Sequence, residues 1–242
     1  MSDLQGKVAV VTGAAQGLGY AVAKAYIENG MRVAIMDVKE DELVAVAKEF
    51  GKNALAIAAD LSNAESTLDA IHQVLTRLGT PRILVHNAAI LINRPLLELT
   101  LESWHREINV GIQAAFLMTQ AVWQAMTEAG GGSIVYVSSR SGIQGFMDES
   151  PYCTAKHGLE GFMKCMAMEG EMRNIAVNTV TPGMYMHTPM SERNYSDELK
   201  QKWVDPYMLT PAFVKLASQD ASGISGQRLN AWELSGHTGT PD

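Results

Sequence analysis

Short runs rich in valine, isoleucine and alanine recur along the chain with longer helical patterns between them, and this alternation constrains the fold more than any other feature. The runs are Lys7 to Val11, Arg32 to Met36, Ala54 to Ala59, Ile83 to His86, Ser133 to Val137 and Ala176 to Val180. Apolar side chains on successive residues point to both sides of a strand, so both faces must be covered. Strands of that kind pair in parallel and are joined by right-handed helical crossovers. A last strand is expected at Gln227 to Trp232. The expectation is an α/β chain with a doubly wound parallel sheet of about seven strands and helices on both faces, binding ligands at the strands' carboxyl ends.

The 242 residues suit one core of this type, and no linker divides them, so residues 1–242 are expected to form a single domain. Met184 to Thr210 breaks the rhythm with Met, Tyr, Trp, His and Pro, which predicts a lid at 184–210 or, alternatively, two short packed helices. With 47% hydrophobic and 19% charged residues the composition is globular. A net charge of −7 without any basic run excludes nucleic acid and acidic membranes as partners. No apolar run approaches the roughly 20 residues that cross a bilayer. The opening MSDLQGKVAVVTG enters a strand pattern at once, without the parts of a secretory signal, so a cytoplasmic location is expected. Cys153 and Cys165 lie too far apart along one predicted helix to bridge, and both are read as reduced. His86, His105 and His157 show no metal-ligand spacing; they read as packed or exposed histidines, and no metal is expected.

The first strand runs into Thr12-Gly13-Ala14-Ala15-Gln16-Gly17-Leu18-Gly19, followed by a helical pattern. Glycines at such a turn let a pyrophosphate approach backbone N–H groups at the positive end of a helix. The turn alone is weak evidence. Asp37 strengthens it, because it ends the second strand about 20 residues on, where a carboxylate can bind ribose hydroxyls in a Rossmann-type dinucleotide site. A 2′-phosphate about 5 Å from that carboxylate meets roughly 3 kcal/mol of repulsion per charge pair at an effective dielectric near 20. NAD is therefore expected over NADP. No arginine follows Asp37, and Gln16 stands where a basic side chain could meet that phosphate; Lys39 is the residue that works against the expectation.

Tyr152 and Lys156 stand one helical turn apart at the start of a predicted helix, on one face. Lowering a phenol by about 3 pKa units takes roughly 4 kcal/mol. An ammonium about 4 Å away supplies about that much, so the pair can exchange a proton with an alcohol. Ser139, at the carboxyl end of the fifth strand, can hold the reacting oxygen beside Tyr152. Ser138 reads as a strand-end cap.

In this order the chain carries TGAAQGLG, Asp37, Asp60-Leu61, Asn87-Ala88-Ala89, Ser139, Tyr152, Lys156 and Pro182-Gly183, and over nearly its whole length it resembles the short-chain dehydrogenase/reductase family of the classical type. The resemblance implies that Tyr152 is the acid/base, Ser139 positions the reacting oxygen, and Lys156 tunes Tyr152 and grips the nicotinamide ribose, while a hydride moves between substrate and nicotinamide. It further implies cofactor contacts at Gly13, Gln16, Gly17, Leu18, Gly19, Asp37, Asp60 near adenine, Leu61, Asn87 beside the fourth strand, Ala88, Pro182, Gly183 and Thr188. Thr188 stands one residue farther from Pro182-Gly183 than the common family spacing, so Thr181 or a lid backbone group is the alternative at the carboxamide. Assembly as a homotetramer or dimer, through helices at 101–127 and 152–170, is implied by the same resemblance.

Two positions depart from the family pattern. Its members carry an asparagine five residues before a phenylalanine in the helix after strand four, where it helps hold a water in the proton relay; counting from Phe116 or from Trp104 gives Gly111. Asn109 would lie on the opposite face unless the helix is bulged. Gly111→Asn is expected to change turnover without abolishing NAD binding. Ala89 stands where glycine is usual. The function expected is hydride transfer between NAD(H) and a secondary alcohol or ketone of small to medium size, cyclic or sugar-derived. The alternatives are a 3-oxoacyl carrier reductase, which Asp37 and the net acidity oppose, and a non-catalytic NAD(H) sensor or scaffold, supported by Gly111 and opposed by the retained Ser139, Tyr152 and Lys156.

Overall fold

The computed structural model describes residues 4–239. Strands β1 (Val8–Thr12), β2 (Arg32–Asp37), β3 (Ala54–Ala58), β4 (Pro81–His86), β5 (Gly132–Val137), β6 (Ile175–Thr181) and β7 (Arg228–Asn230) form one sheet in the order β3-β2-β1-β4-β5-β6-β7, with every pair parallel. Helices α1 (Gly17–Glu28), α2 (Glu40–Phe50), α3 (Ala64–Arg77), α4 (Leu101–Ile108), α5 (Ala114–Glu128) and α6 (Ser150–Glu171) make the first crossovers. Shorter helices α7 (Pro189–Asn194), α8 (Asp197–Lys200), α9 (Thr210–Ala217) and α10 (Ala231–Leu234) complete the chain.

Alternation within each strand feeds two cores. Ala9 and Val11 of β1 face Tyr26 of α1, Leu43 of α2 and Phe213 of α9, whereas Val8 and Val10 face Ile71 of α3, Met118 of α5 and Leu159 of α6. Each central strand is thus covered on both sides, as its run of successive apolar residues requires. The strand order reverses between β1 and β4. Both strands there run in the same direction while their crossovers leave to opposite faces, which opens a crevice at their carboxyl ends.

Two local features differ from the expected pattern, and a third matches one of the two readings given for residues 184–210. The last strand is shorter than Gln227 to Trp232 because the Asn230 side chain accepts a hydrogen bond from Glu233 N and caps α10, which turns the chain out of the sheet. The helix expected to run through residues 101–127 is interrupted by a π turn at Asn109–Gln113. Residues 184–210 contain α7, α8 and a 3₁₀ turn at Pro206–Leu209, and Met186 forms a parallel bridge with Val204. No helix among the described residues is long and apolar enough to cross a membrane.

Candidate active site

The crevice continues into a cavity of about 280 Å³. Gly13, Gln16, Gly17, Leu18, Asp37, Asp60, Leu61, Asn87, Ala88, Ser139, Tyr152, Lys156, Pro182 and Thr188 all line it, so most residues singled out in the sequence meet in one space. Gly19 and Gly183 lie behind its wall and shape it. A Cβ on Gly19 would stand 2.1 Å from Gly13 O, and one on Gly183, where φ is +77°, would stand 1.8 Å from Asn230 Oδ1. Both positions require glycine by close backbone or side-chain approach.

The turn after β1 is held open by its neighbours. Asn87 donates from Nδ2 to Thr12 O (2.9 Å) and Gly13 O (3.2 Å), tying β4 to β1 across the crevice. Asp37 accepts from the backbone amides of Ala15 (3.1 Å) and Lys39 (3.2 Å), which fixes its carboxylate at the rim. The Lys39 ammonium lies 3.0 Å from Gln16 Oε1 and 3.3 Å from Glu42 Oε1, so it is bonded across the mouth rather than toward Asp37. A glycine cradle at a helix N-terminus, with a carboxylate on the neighbouring strand end, fits a nicotinamide dinucleotide. Asp60 bonds the Ser62 amide and hydroxyl at the edge of the same wall. Thr188 caps α7 by accepting from Ser191 N (3.1 Å), and its methyl would stand 3.2 Å from a Cβ on Gly17.

At the other end of the cavity, Ser139 caps a 3₁₀ turn and accepts from Ser141 N. Its hydroxyl donates to Ser141 Oγ (3.3 Å), which donates to Glu149 Oε2 (3.1 Å). Tyr152 enters α6 just after Pro151, a residue suited to a first helical turn. Burial pushes the Tyr152 phenol well above its ordinary pKa, Tyr195 and Glu149 add to the rise, and a hydrogen bond with Ser139 opposes it. The offset by a neighbouring ammonium anticipated from the sequence is not what the structure shows. The Lys156 Nζ donates instead to Val137 O at 2.6 Å and lies 5.3 Å from the centre of the Tyr152 ring. The phenol is therefore protonated in this arrangement and poised as a donor. Burial pushes Lys156 down to about 8, with Glu160 holding it up.

Behind the reacting face, Glu160 gathers three elements. It accepts from Ser138, from Thr179 Oγ1 at 2.7 Å and from Arg228 Nε at 3.2 Å, while Arg228 also donates to Ser139 O at 3.0 Å. Ser138 is thus part of this network and not only a strand-end cap. Glu160, Glu149 and Ser141 were not singled out from the sequence, whereas Tyr195 belongs to the segment 184–210 read there as a lid. Glu149, three residues before Tyr152, offered the only positional hint.

The π turn accounts for the places of Asn109 and Gly111. Asn109 spends its side chain on Ser62 O at 2.9 Å, and Gly111 is buried against α6, where an added Cβ would stand 2.6 Å from Ala155 Cβ. The Asn109 amide is thereby held at Ser62, and Gly111 has no side chain to offer beside Ala155. Gly111→Ala should cost about 1–3 kcal/mol through overpacking, read as a lower denaturation midpoint at unchanged m value. Ala155→Gly in the same chain should recover most of that loss, and failure to recover it would place the strain elsewhere. Gly111→Asn alone must displace Ala155, so the expected effect on turnover is best read in the Gly111→Asn, Ala155→Gly pair.

A crevice at the switch point of a doubly wound sheet, with a glycine turn and Asp37 at one end and Ser139, Tyr152 and Lys156 at the other, defines an oxidoreductase that uses a nicotinamide cofactor. The family model for short chain dehydrogenase matches residues 7–199, and the chain belongs to that family. It is 34% identical to D-threitol dehydrogenase from Mycolicibacterium smegmatis, over 93% of this chain and 91% of that protein. Among solved structures it is similar to the 3-ketoacyl-(acyl-carrier-protein) reductase of Brucella melitensis complexed with NADH, with a TM-score of 0.87, 28% identity and 94% and 97% of the two chains covered. A Beutenbergia cavernae protein with bound NADP superposes with a TM-score of 0.86 and 30% identity, over 94% and 96% of the two chains.

Proposed function

We propose that the chain is a cytoplasmic, NAD(H)-dependent enzyme that interconverts a secondary alcohol and a ketone on a small polyol or cyclic substrate. The observation that carries this reading is the meeting of Ser139, Tyr152 and Lys156 in the cavity whose far rim holds Asp37. NAD, when bound, supplies hydride acceptance and donation at its nicotinamide. Tyr152 passes its phenolic proton to a substrate carbonyl oxygen or, in the reverse direction, takes one from an alcohol after its own proton has left to solvent, and Ser139 fixes that oxygen. Lys156 holds positive charge beneath Tyr152 and orients the ribose, while Gly13, Gly17 and Gly19 admit the pyrophosphate and Thr188 stands beside the nicotinamide end.

Asp37, with no arginine following it in the sequence, favours NAD over NADP; Arg106 lines the cavity from α4, and neither it nor the bonded Lys39 reverses that preference. Ser139, which lines the cavity, is tied to Ser141 and through it to Glu149, so the hydroxyl that meets a polyol substrate is fixed from behind. Likeness to D-threitol dehydrogenase supports the same class. A 3-oxoacyl carrier reductase must dock an acidic carrier, which a chain of net charge −7 disfavours. In this reading Met186, Met190 and Tyr195 form the inner wall of a lid at 184–210, and the exposed Leu101, Phe116 and Met168 mark α4, α5 and α6 as the faces of a dimer or tetramer. The test is purified protein with NAD and, separately, NADP, offered C4–C6 polyols, cyclic alcohols and hydroxyacyl thioesters while reduced cofactor absorbance is followed. Turnover confined to thioesters would overturn the substrate class, and tight NADH binding without turnover on any compound would overturn catalysis.

A further inference from the structure

His86 ends β4 at 1% exposure, in the position read from the sequence as ordinary packing, yet its two ring nitrogens join separate parts of the site. Thr12 Oγ1 accepts from Asn87 N (3.0 Å) and Ala88 N (2.9 Å), which uses both of its lone pairs. Its single proton is then left for His86 Nδ1, 3.3 Å away. Nδ1 accepts, so Nε2 carries the hydrogen and donates to Val110 O at 3.0 Å. Val110 lies within the π turn, and the next residue, Gly111, rests against Ala155, the neighbour of Lys156. A continuous line of contacts thus runs from the cofactor turn through His86 and the π turn to the helix that carries Lys156.

We propose that His86 is a positioning residue for Lys156, anchoring the π turn at Val110 and so fixing the surface on which Ala155 and Lys156 rest, in a chain whose residue 111 has no side chain to do so. The inference rests on the reading of Lys156 as part of the catalytic apparatus. The imidazole must stay neutral for this task, because a proton on Nδ1 would face a Thr12 hydroxyl with no free lone pair. Burial and the charge of Lys156 push it down to about 4, far below working pH. The groups facing Lys156 are His86 from β4, Val137 O from β5, and Tyr152 and Glu160 from its own helix, with Arg228 of β7 paired to Glu160.

The test compares His86→Leu, which fills similar space without either hydrogen bond, with His86→Gln, whose amide can donate to Val110 O. The Lys156 titration is read by NMR of protein labelled at lysine Cε, the signal being assigned by its loss in Lys156→Met, so no substrate is required. Wild type should titrate near pH 8. His86→Leu should move that midpoint upward by about one unit as water enters the loosened site, and His86→Gln should move it less. Fluorescence titration with NADH should change less than about threefold, while turnover on the alcohol found active falls about 10-fold or more in His86→Leu. A Lys156 midpoint left near pH 8 in folded His86→Leu would overturn the inference, whatever the melting temperature does. Absence of turnover in wild type would instead count against the proposed function and leave the titration result standing.

Discussion

Tyr152→Phe is expected to lower turnover by about 10²–10⁴-fold while NADH binding and thermal stability stay close to wild type. The substitution removes one oxygen and keeps the ring that lies 5.3 Å from Lys156 Nζ, so packing around the ammonium is preserved. What it deletes is the buried phenol group, whose pKa burial raises and a hydrogen bond with Ser139 holds down. Without it, the oxygen that changes charge during hydride transfer has no acid or base at hand, and Lys156 is bonded to Val137 O and turned away from that duty. Stopped-flow rates of NADH formation, with NADH affinity measured by fluorescence on the same protein, check the result. A loss smaller than tenfold with affinity intact would remove Tyr152 from the acid/base role.

The second large effect is on cofactor choice. Asp37→Ser should shift the ratio of NADPH to NADH affinity by about 10²-fold toward NADPH, corresponding to the roughly 3 kcal/mol of repulsion between one carboxylate charge and a 2′-phosphate charge about 5 Å away. Serine can still accept from the Ala15 or Lys39 amide, so the turn should keep its shape. With the carboxylate gone, Lys39 is a cation left at the rim, still bonded to Gln16 and Glu42. The two dissociation constants, measured at one ionic strength, decide the matter, and an unchanged ratio would mean that Asp37 does not face the adenosine ribose.

Much of this architecture is written plainly in the sequence, because strands buried on both faces leave successive apolar residues and the glycine turn follows the first of them. Asp37, Ser139, Tyr152 and Lys156 could be found from their places at strand ends and on one helix face. Other features escaped because they depend on contacts distant in the chain. The four-residue spacing of Tyr152 and Lys156 fixes which face they share and says nothing of where the ammonium points; Val137 O decides that. The π turn is hidden by an apolar pattern that continues through it, with Gly111 as its single trace. His86 looked ordinary since its partners Thr12 and Val110 lie 74 and 24 positions away. Asn230 could belong to a strand by neighbourhood, and its role as a cap shows only once α10 is seen.

The grip of Arg228 on Glu160 and on Ser139 O gives the three-residue β7 an importance out of scale with its length. It works as a tie between the end of the chain and the oxygen-holding loop in the middle of it. The catalytic register should therefore be sensitive to β7: a nick in the partly exposed segment at 218–223 would slacken the tie before it melted the sheet.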